Sequence, residues 1–196
     1  MKIVGLTGGI GSGKTTVAKL FAEFNNVAVY IADVEAKKLM NSSAVIKEKV
    51  ELEFGKESYK NNELDRTYIS NIVFKDKSKL QVLNKIVHPE VRKHFQDFIK
   101  KQTNKAFIIY EAAILFESKS NLLCDFIITV YVDLETKIER VISRDNTTKI
   151  EVLNRMKNQL NDTPKILQSN YVIFNKNIQE TKLQVEKIHN ILTEKA

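Results

Sequence analysis

The chain has 196 residues, 43% of them hydrophobic and 28% charged, with a net charge of +7 and one cysteine, Cys124. This length suits one domain, or one domain with a small insert, and the composition excludes intrinsic disorder, an internal disulfide and a cysteine zinc cluster. Because no run approaches the roughly 18 apolar residues of a membrane-spanning helix and the lysines are scattered, we expect a cytoplasmic protein that binds small anionic ligands rather than membrane or nucleic acid.

The first part of the chain alternates short apolar runs with amphipathic stretches. Residues 3–6 predict a strand, and a glycine-rich loop separates them from a predicted helix over residues 15–24. Residues 27–31 predict a second strand, and the helix that follows extends through Met40. This order of strand, helix, strand, helix is typical of a parallel α/β sheet.

The middle of the chain has a different pattern. Residues 44–102 show helical periodicity with charged faces, with a turn at Asn61-Asn62 and a helix boundary at His88-Pro89. Residues 106–110 and 126–132 are continuous apolar runs, as expected for strands buried on both faces of a parallel sheet. The sequence therefore predicts a helical insert between the second and third strands.

The last part of the chain returns to alternating elements. Residues 134–144 and 148–160 predict helices, residues 171–174 a final strand, and residues 178–193 a closing amphipathic helix. Together the runs predict a doubly wound α/β fold with five parallel strands, a helical insert and a helical lid. The expected parts are a core over about 1–40, 103–134 and 170–196, an insert over about 41–102 and a lid over about 135–169.

One motif carries most of the chemical information. Residues 8–15 satisfy the phosphate-loop pattern G-x-x-x-x-G-K-[ST] between the first strand and the first helix, which predicts a P-loop NTPase fold. Such a loop turns backbone N–H groups and a helix N-terminus toward phosphate oxygens. Lys14 is expected to reach the β- and γ-phosphates of ATP, and the Thr15 hydroxyl to ligate Mg²⁺. The predicted ATP-binding residues of this segment are Gly8, Gly9, Gly11, Ser12, Gly13, Lys14, Thr15 and Thr16.

The rest of the sequence separates a kinase from a GTPase-type switch. A switch needs D-x-x-G, but the only glycine after the loop is Gly55, and Leu52 stands three positions before it. Guanine selection uses N-K-x-D, and the nearest approach, residues 175–178, lacks the aspartate. We therefore favour a small-molecule kinase. A kinase for a nucleoside or nucleotide, and a nucleotide-dependent binding protein without catalysis, stay open as alternatives.

A kinase also needs a base for the acceptor hydroxyl and positive charge for the transferring phosphoryl group. Asp33 follows the second strand at the sheet edge where ligands bind, so it is the candidate base, with a helix N-cap as the alternative role. Arg140 and Arg144 are four residues apart on a predicted helix and can reach the same phosphates. Their alternative role is surface ion pairing with acids such as Glu139 and Asp145.

Three further residues are candidates for the site. Glu111 ends the third predicted strand and could help to hold Mg²⁺ through water, with a solvated carboxylate as the alternative and Asp133 as a rival. His88 could contact an anionic substrate or form a hydrogen bond inside the insert. His94 and His189 lie in charged helical stretches, and we assign them no role.

At this point the chain resembles the dephospho-CoA kinase family over nearly its whole length. The segments that carry the resemblance follow in the family's order: Val4 through Thr15, Leu64-Asp65-Arg66, Ile72-Val73-Phe74, Leu83 through Pro89, Leu115-Phe116-Glu117, Cys124-Asp125, Arg140, Arg144-Asp145, Arg155, Gln159, Tyr171-Val172-Ile173 and Asn175.

The resemblance implies transfer of the ATP γ-phosphate to the ribose 3′-hydroxyl of dephospho-CoA, the last step of coenzyme A synthesis. It implies that Asp33 is the base and that the insert binds the CoA moiety. It also implies that Arg140 and Arg144 belong to a lid over ATP and that Asn175 lies near the adenine. The substrate-binding residues expected on this basis are Asp33, Arg66, His88 and Glu111. An oligomeric state is not implied.

The sequence departs from the family's pattern at two places. Ile31-Ala32-Asp33 stands where the family usually has Asp-Ala-Asp, so only the acid matched to the base is kept. Glu111-Ala112-Ala113 stands where the family usually has Asp with a proline soon after. Glutamate keeps the charge of aspartate but reaches farther.

Overall fold

The computed structural model describes residues 1–73 and 75–194. Phe74, the last residue of the Ile72-Val73-Phe74 motif, and residues 195–196 at the end of the expected core lie outside the described residues. The chain divides into two compact units. One contains Met1–Ile31 and the chain from Gln102 onward, and the other is Ala32–Lys101.

Strands and helices are numbered in chain order over both units. The strands are β1 (Lys2–Thr7), β2 (Val27–Ile31), β3 (Tyr59–Lys60), β4 (Glu63–Leu64), β5 (Phe107–Glu111), β6 (Phe126–Tyr131) and β7 (Tyr171–Phe174). The helices are α1 (Lys14–Ala22), α2 (Ala32–Ser42), α3 (Ala44–Phe54), α4 (Arg66–Val73), α5 (Lys77–Lys100), α6 (Leu134–Asp145), α7 (Lys149–Met156), α8 (Asp162–Leu167) and α9 (Ile178–Glu194).

The first unit is built on a five-stranded sheet with the order β2-β5-β1-β6-β7. Every neighbouring pair is parallel, so the carboxyl ends of all five strands meet at one edge. Each strand falls on an apolar run that the sequence singled out, and all five residues of β5 are buried, as a central parallel strand requires. The predicted α/β fold with five parallel strands is confirmed.

Helices α1 and α9 cover one face of this sheet. The apolar residues of α1 lie on one side of the helix, because Val17, Leu20 and Phe21 are three or four positions apart. They pack with alternate residues of the central strands, which point to the same face of a sheet. The buried cluster includes Val4, Leu6, Val17, Leu20, Phe21, Phe107, Ile109, Ile128, Val130, Ile173, Val185, Ile188 and Leu192.

The second unit is organised around the long helix α5, which contacts α2, α3 and α4. The predicted helix boundary at His88-Pro89 is wrong, because α5 continues through Pro89 to Lys100. A proline inside a helix removes one backbone hydrogen bond and crowds the preceding turn. Buried apolar residues on both sides of it, Val87 and Val91 among them, hold the helix together by tertiary packing.

The predicted turn at Asn61-Asn62 is confirmed and belongs to a hairpin. Both asparagines have positive φ, at 51° and 66°, which is the geometry of a tight turn matched to the twist of antiparallel strands. It joins β3 to β4, where Tyr59 lies opposite Leu64. The sequence did not predict these strands, because two residues on each side are too few to show an alternating pattern.

The helix predicted over residues 148–160 ends earlier in the structure, and a further helix that the sequence did not predict follows it. A capping box between Thr148 and Glu151 starts α7, which ends at Met156, and α8 follows from Asp162. Pro164 lies in the first turn of α8, where its missing N–H costs no helical hydrogen bond. Over residues 1–73 and 75–194, no helix is both long and apolar enough to cross a membrane.

Candidate active site

The phosphate loop joins β1 to α1 and fits closely against distant parts of the first unit. Gly11 and Gly13 have φ of 80° and 87°, in the left-handed region that favours glycine. A side-chain carbon on Gly13 would lie 2.0 Å from the amide nitrogen of Asn175, and one on Gly11 would lie 2.4 Å from the carbonyl oxygen of Lys137. These positions therefore require glycine for both backbone conformation and space.

Lys14 places a cation against the loop. Its side chain is almost fully buried, and the ammonium donates to the carbonyl oxygens of Gly8 at 3.0 Å and Gly9 at 3.3 Å. The hydroxyl of Ser12 is also buried, and it has no hydrogen-bond partner among the described residues. Buried polar groups normally have partners, so this hydroxyl is a donor available to a ligand.

The candidate magnesium residues Thr15 and Glu111 meet in the structure. The Thr15 hydroxyl donates to a carboxylate oxygen of Glu111 across 3.4 Å. Glu111 is 3% exposed at the carboxyl end of β5, paired with Leu6 of β1 immediately beside the loop. A hydroxyl and a carboxylate are hard oxygen ligands, so this pair fits Mg²⁺, which takes few protein ligands and fills its other positions with water and phosphate.

The rival carboxylate, Asp133, is engaged elsewhere. It caps α6 by accepting from the backbone N–H and the hydroxyl of Thr136, each at 2.9 Å. The backbone hydrogen bond from Thr136 is the main cause that lowers the pKa of Asp133. In the part of the chain that the structure describes, no group of three or more His, Cys, Asp or Glu side chains is placed to hold a metal ion.

The two candidate lid arginines line one cleft with the loop. Gly11, Lys14 and Thr16 line it together with Arg140 and Arg144 of α6. This brings together charges that are far apart in the sequence. Two guanidinium groups beside the loop lysine make the cleft suitable for a polyphosphate.

An ion-pair network holds Arg144 at the edge of this cleft. Its guanidinium donates two hydrogen bonds to Asp145, at 2.8 and 3.1 Å, and Arg155 donates a third at 2.7 Å. The hydrogen bond from Arg144 is the main cause that lowers the pKa of Asp145. The surface pairing considered for Arg144 is thus present, while Arg140 reaches the carbonyl oxygen of Lys176 at 3.5 Å.

Asn175 has a structural contact that the sequence did not indicate. It is buried just after β7, and its amide nitrogen donates to the carbonyl oxygen of Ser12 at 2.8 Å. Its amide oxygen accepts from the hydroxyl of Thr181 at 3.0 Å. A second cleft lies beside it, bounded by residues 175–179 together with Gly13, Thr16 and Arg140. Asn175 therefore ties the end of β7 to the phosphate loop.

The second unit carries the acceptor-side candidates. Asp33 is exposed in the first turn of α2, which begins at Ala32, so it is a helical residue and not the N-cap. Burial lowers the pKa of His88 and the positive charge of Arg92 lowers it further, while the negative charge of Asp33 acts in the opposite direction. These three side chains therefore interact electrostatically. Arg66 is exposed at the first residue of α4.

Sequence reasoning assigned no site role to several residues that interact with candidate residues of their own unit. Arg92 had a visible signal, because it lies four positions after His88 and so shares its side of a helix. Gln159 belongs to the residues that carry the family resemblance, but no local pattern indicated its contact, and Lys137 had no signal at all. The amide oxygen of Gln159 accepts from the backbone N–H of Ile10 across a separation of 149 residues, and no local pattern encodes such a contact.

Known proteins similar to this chain indicate its family. The family model for dephospho-CoA kinase matches residues 2–180. The dephospho-CoA kinase of Fusobacterium nucleatum is 37% identical over 186 residues, which cover 94% of this chain and 95% of that protein.

Two solved structures resemble the whole chain in fold. A crystal structure from Thermus thermophilus is 27% identical with a TM-score of 0.86, covering 97% of this chain and 96% of that one. The dephospho-CoA kinase from Campylobacter jejuni is 21% identical with a TM-score of 0.63, covering 98% of both chains. Since the family model spans most of the sequence and the relative from F. nucleatum matches it nearly end to end, the chain belongs to the dephospho-CoA kinase family.

Proposed function

We propose that this protein transfers the γ-phosphoryl group of ATP to the ribose 3′-hydroxyl of dephospho-CoA, producing coenzyme A and ADP in the last step of coenzyme A synthesis. The observation that carries the proposal is the family match over residues 2–180. The phosphate-loop cleft, which is lined by four cationic side chains, supports the same reaction. A phosphoryl group in transfer carries dispersed negative charge, and fixed cations stabilise it more than they stabilise bound ATP.

On the ATP side, backbone N–H groups of the phosphate loop would bind the phosphates, as the glycine geometry allows, with the exception of the Ile10 N–H, which donates to Gln159. Lys14 would move from the loop carbonyls to the β- and γ-phosphates, and the unpartnered Ser12 hydroxyl would gain an acceptor. Arg140 and Arg144 would neutralise charge in the same cleft. Asn175 would act beside the adenine and as a support for Ser12.

The pair formed by Thr15 and Glu111 would hold Mg²⁺. A magnesium ion held there would neutralise negative charge on the phosphate groups of ATP. Because Glu111 contacts Thr15, we assign it a role in magnesium binding as well as in substrate binding. The longer reach of glutamate is consistent with this role, because its carboxylate extends from β5 to the hydroxyl of the neighbouring helix.

On the acceptor side, Asp33 would accept the proton of the 3′-hydroxyl and orient its oxygen toward the γ-phosphorus. Dephospho-CoA carries phosphate groups of its own, so the insert needs cations as well as a pocket. Arg92 and Arg66 are suited to that task, with His88 neutral beside Arg92 because its pKa is lowered. The cytoplasmic location and the absence of nucleic-acid and membrane partners stay predictions from composition.

The proposal is tested by ADP release from Mg-ATP with dephospho-CoA, adenosine, AMP or no acceptor. We expect release that depends on dephospho-CoA and a product with the mass of coenzyme A. Release only with adenosine or AMP would support a nucleoside or nucleotide kinase, and release without an acceptor would indicate a hydrolase. Lys14→Met should abolish the activity, while Lys100→Met, which removes an exposed lysine paired with Asp97, should leave it unchanged.

A further inference from the structure

The chain between α7 and β7 contacts the phosphate loop and the loop that follows β5. We call residues 159–165 the return segment, because they lie in the last part of the predicted lid, where the chain runs from α7 back toward β7. The segment is held by side chains from three directions. Its contacts are between residues of the first unit, and the proposal below concerns the nucleotide half of the proposed function only.

One contact reaches the backbone of the phosphate loop itself. The side-chain oxygen of Gln159 accepts from the N–H of Ile10 at 2.9 Å, in a partly buried position. Ile10 lies between Gly9 and Gly11. Glycine has the greatest backbone conformational freedom of any residue, so the peptide plane of Ile10 can rotate on both sides. A hydrogen bond to this N–H fixes the orientation of that peptide plane.

Other contacts fix the segment that carries Gln159. Asp162 forms an ion pair with Lys137, whose ammonium is almost fully buried. A side-chain carbon on Gly9 would lie 3.1 Å from a carboxylate oxygen of Asp162, so this pair packs directly against the loop. The backbone carbonyl of Lys137 lies closer still to Gly11, where an added side-chain carbon would clash with its oxygen.

Two residues of the return segment, Leu160 and Lys165, are bound to the loop that follows Glu111, the candidate magnesium carboxylate. Glu117 accepts from the N–H of Leu160 at 2.6 Å and pairs with the ammonium of Lys165 at 3.2 Å. Lys165 is fully buried and donates to the carbonyl oxygen of Ala113 at 3.1 Å, two residues after Glu111. A charged side chain this deeply buried is stable only with such partners, so the anchor is well defined.

We propose that Gln159 is a positioning residue for nucleotide binding, which holds the N–H of Ile10 so that the phosphate loop is preset before the phosphates arrive. The ion pairs of Asp162 and Lys165 keep the return segment in place, and the Gln159 amide transfers that placement to the loop backbone. A preset loop loses less conformational freedom on binding, which strengthens binding to ADP and ATP alike. The hydrogen bond strengthens binding of the ground state and of the transition state equally, so its loss raises KM and leaves kcat unchanged.

The test compares Gln159→Met with Gln168→Met. Gln168 is an exposed glutamine in the same region, whose amide donates to the carbonyl oxygen of Pro164 and does not touch the loop. Both variants undergo the same chemical change. Gln159→Asn, one methylene shorter, is a second variant that keeps the polarity of the side chain and cannot span the contact.

Three quantities are measured in each variant: hydrogen exchange of the Ile10 amide by NMR, the Kd of ADP, and kcat with the KM of ATP. In Gln159→Met and Gln159→Asn we expect the Ile10 amide to exchange about tenfold faster than in the wild type. The Kd of ADP and the KM of ATP should rise about five- to tenfold, which corresponds to the net free energy of one hydrogen bond. The kcat should stay within about twofold. Gln159→Glu, which keeps an acceptor oxygen at the same reach, should restore the protection of the Ile10 amide.

Three results would overturn the proposal. The first is Ile10 exchange and ADP affinity in Gln159→Met equal to those in Gln168→Met. The second is faster exchange with unchanged ADP affinity, which would make the contact structural only. The third is a fall in kcat with unchanged Kd, which would make Gln159 part of the chemical step. Exchange and ADP binding need no acceptor, so a wild-type protein that fails to phosphorylate dephospho-CoA contradicts the proposed function without affecting this test.

Discussion

In the phosphate loop, the candidate ligand-binding groups belong mostly to the backbone, whereas in the unit Ala32–Lys101 they belong to side chains on helices. The loop backbone is fixed by close contacts, such as those of Gly11 with Lys137 and Gly13 with Asn175. Asp33, by contrast, is exposed on the first turn of α2. Substitutions in the loop should therefore act through conformation and space, and those in the helical unit through the chemistry of the lost group.

The largest expected effect tests the helical unit. Asp33→Asn removes the candidate base and keeps its shape, so kcat with dephospho-CoA should fall about 10²–10⁴-fold while the Kd of ADP stays nearly unchanged. Glu35→Gln makes the same chemical change in the same turn of α2, and we expect it to leave kcat unchanged. A fall in kcat below tenfold, or an equal loss of ADP affinity, would contradict the role of Asp33 as base.

The next effect tests the loop. Gly13→Ala forces a residue with a side chain into a left-handed conformation, at a cost of about 1–2 kcal/mol, and displaces Asn175. The Kd of ADP, measured by calorimetry, should rise about tenfold or more. Gly9→Ala is the matched control, because an added carbon there meets its nearest atom at 3.1 Å. Equal losses in the two variants would show that the loop does not depend on the Gly13 conformation.

A third prediction separates the two carboxylates near the loop. Glu111→Gln should raise the Mg²⁺ concentration for half-maximal activity about tenfold, because a neutral amide is a weaker partner for a divalent cation. Asp133→Asn should leave the Mg²⁺ requirement equal to that of the wild type and keep the cap of α6, because asparagine caps a helix about as well as aspartate. The reverse pattern would transfer the magnesium role to Asp133.

The smallest expected effect is on the pH dependence of the stability of the helical unit's His88 variant. Burial and Arg92 lower the pKa of His88, so folding favours its neutral form. Below about pH 6.5 the unfolded chain binds more protons at this residue than the folded chain, and stability falls as pH decreases toward the lowered pKa. In His88→Gln, the Tm measured from pH 8 to pH 5 should fall less steeply than in the wild type. Identical slopes would mean that His88 does not contribute to the pH dependence.

The parts of the fold that the sequence predicted are those in which local pattern and burial agree. The continuous apolar run of β5 is fully buried, and the paired asparagines at 61 and 62 form the turn that they indicate. The prediction at Pro89 was wrong because a local rule competes there with packing, and Val87 and Val91 decide the outcome. Similarly, the end of α7 at Met156 has no strong stop signal in the sequence.

The sequence by itself determined the phosphate loop, because eight consecutive residues contain its glycines, its lysine and its threonine. Backbone conformation and the spacing of N–H groups are local properties, so a contiguous motif encodes them. Only the tertiary structure decided what holds that loop and completes it. Thr15 meets Glu111 across 96 positions, Ile10 meets Gln159 across 149, and Ser12 meets Asn175 across 163. These contacts depend on the order of the strands and on the path of the chain after α7, which no local pattern specifies.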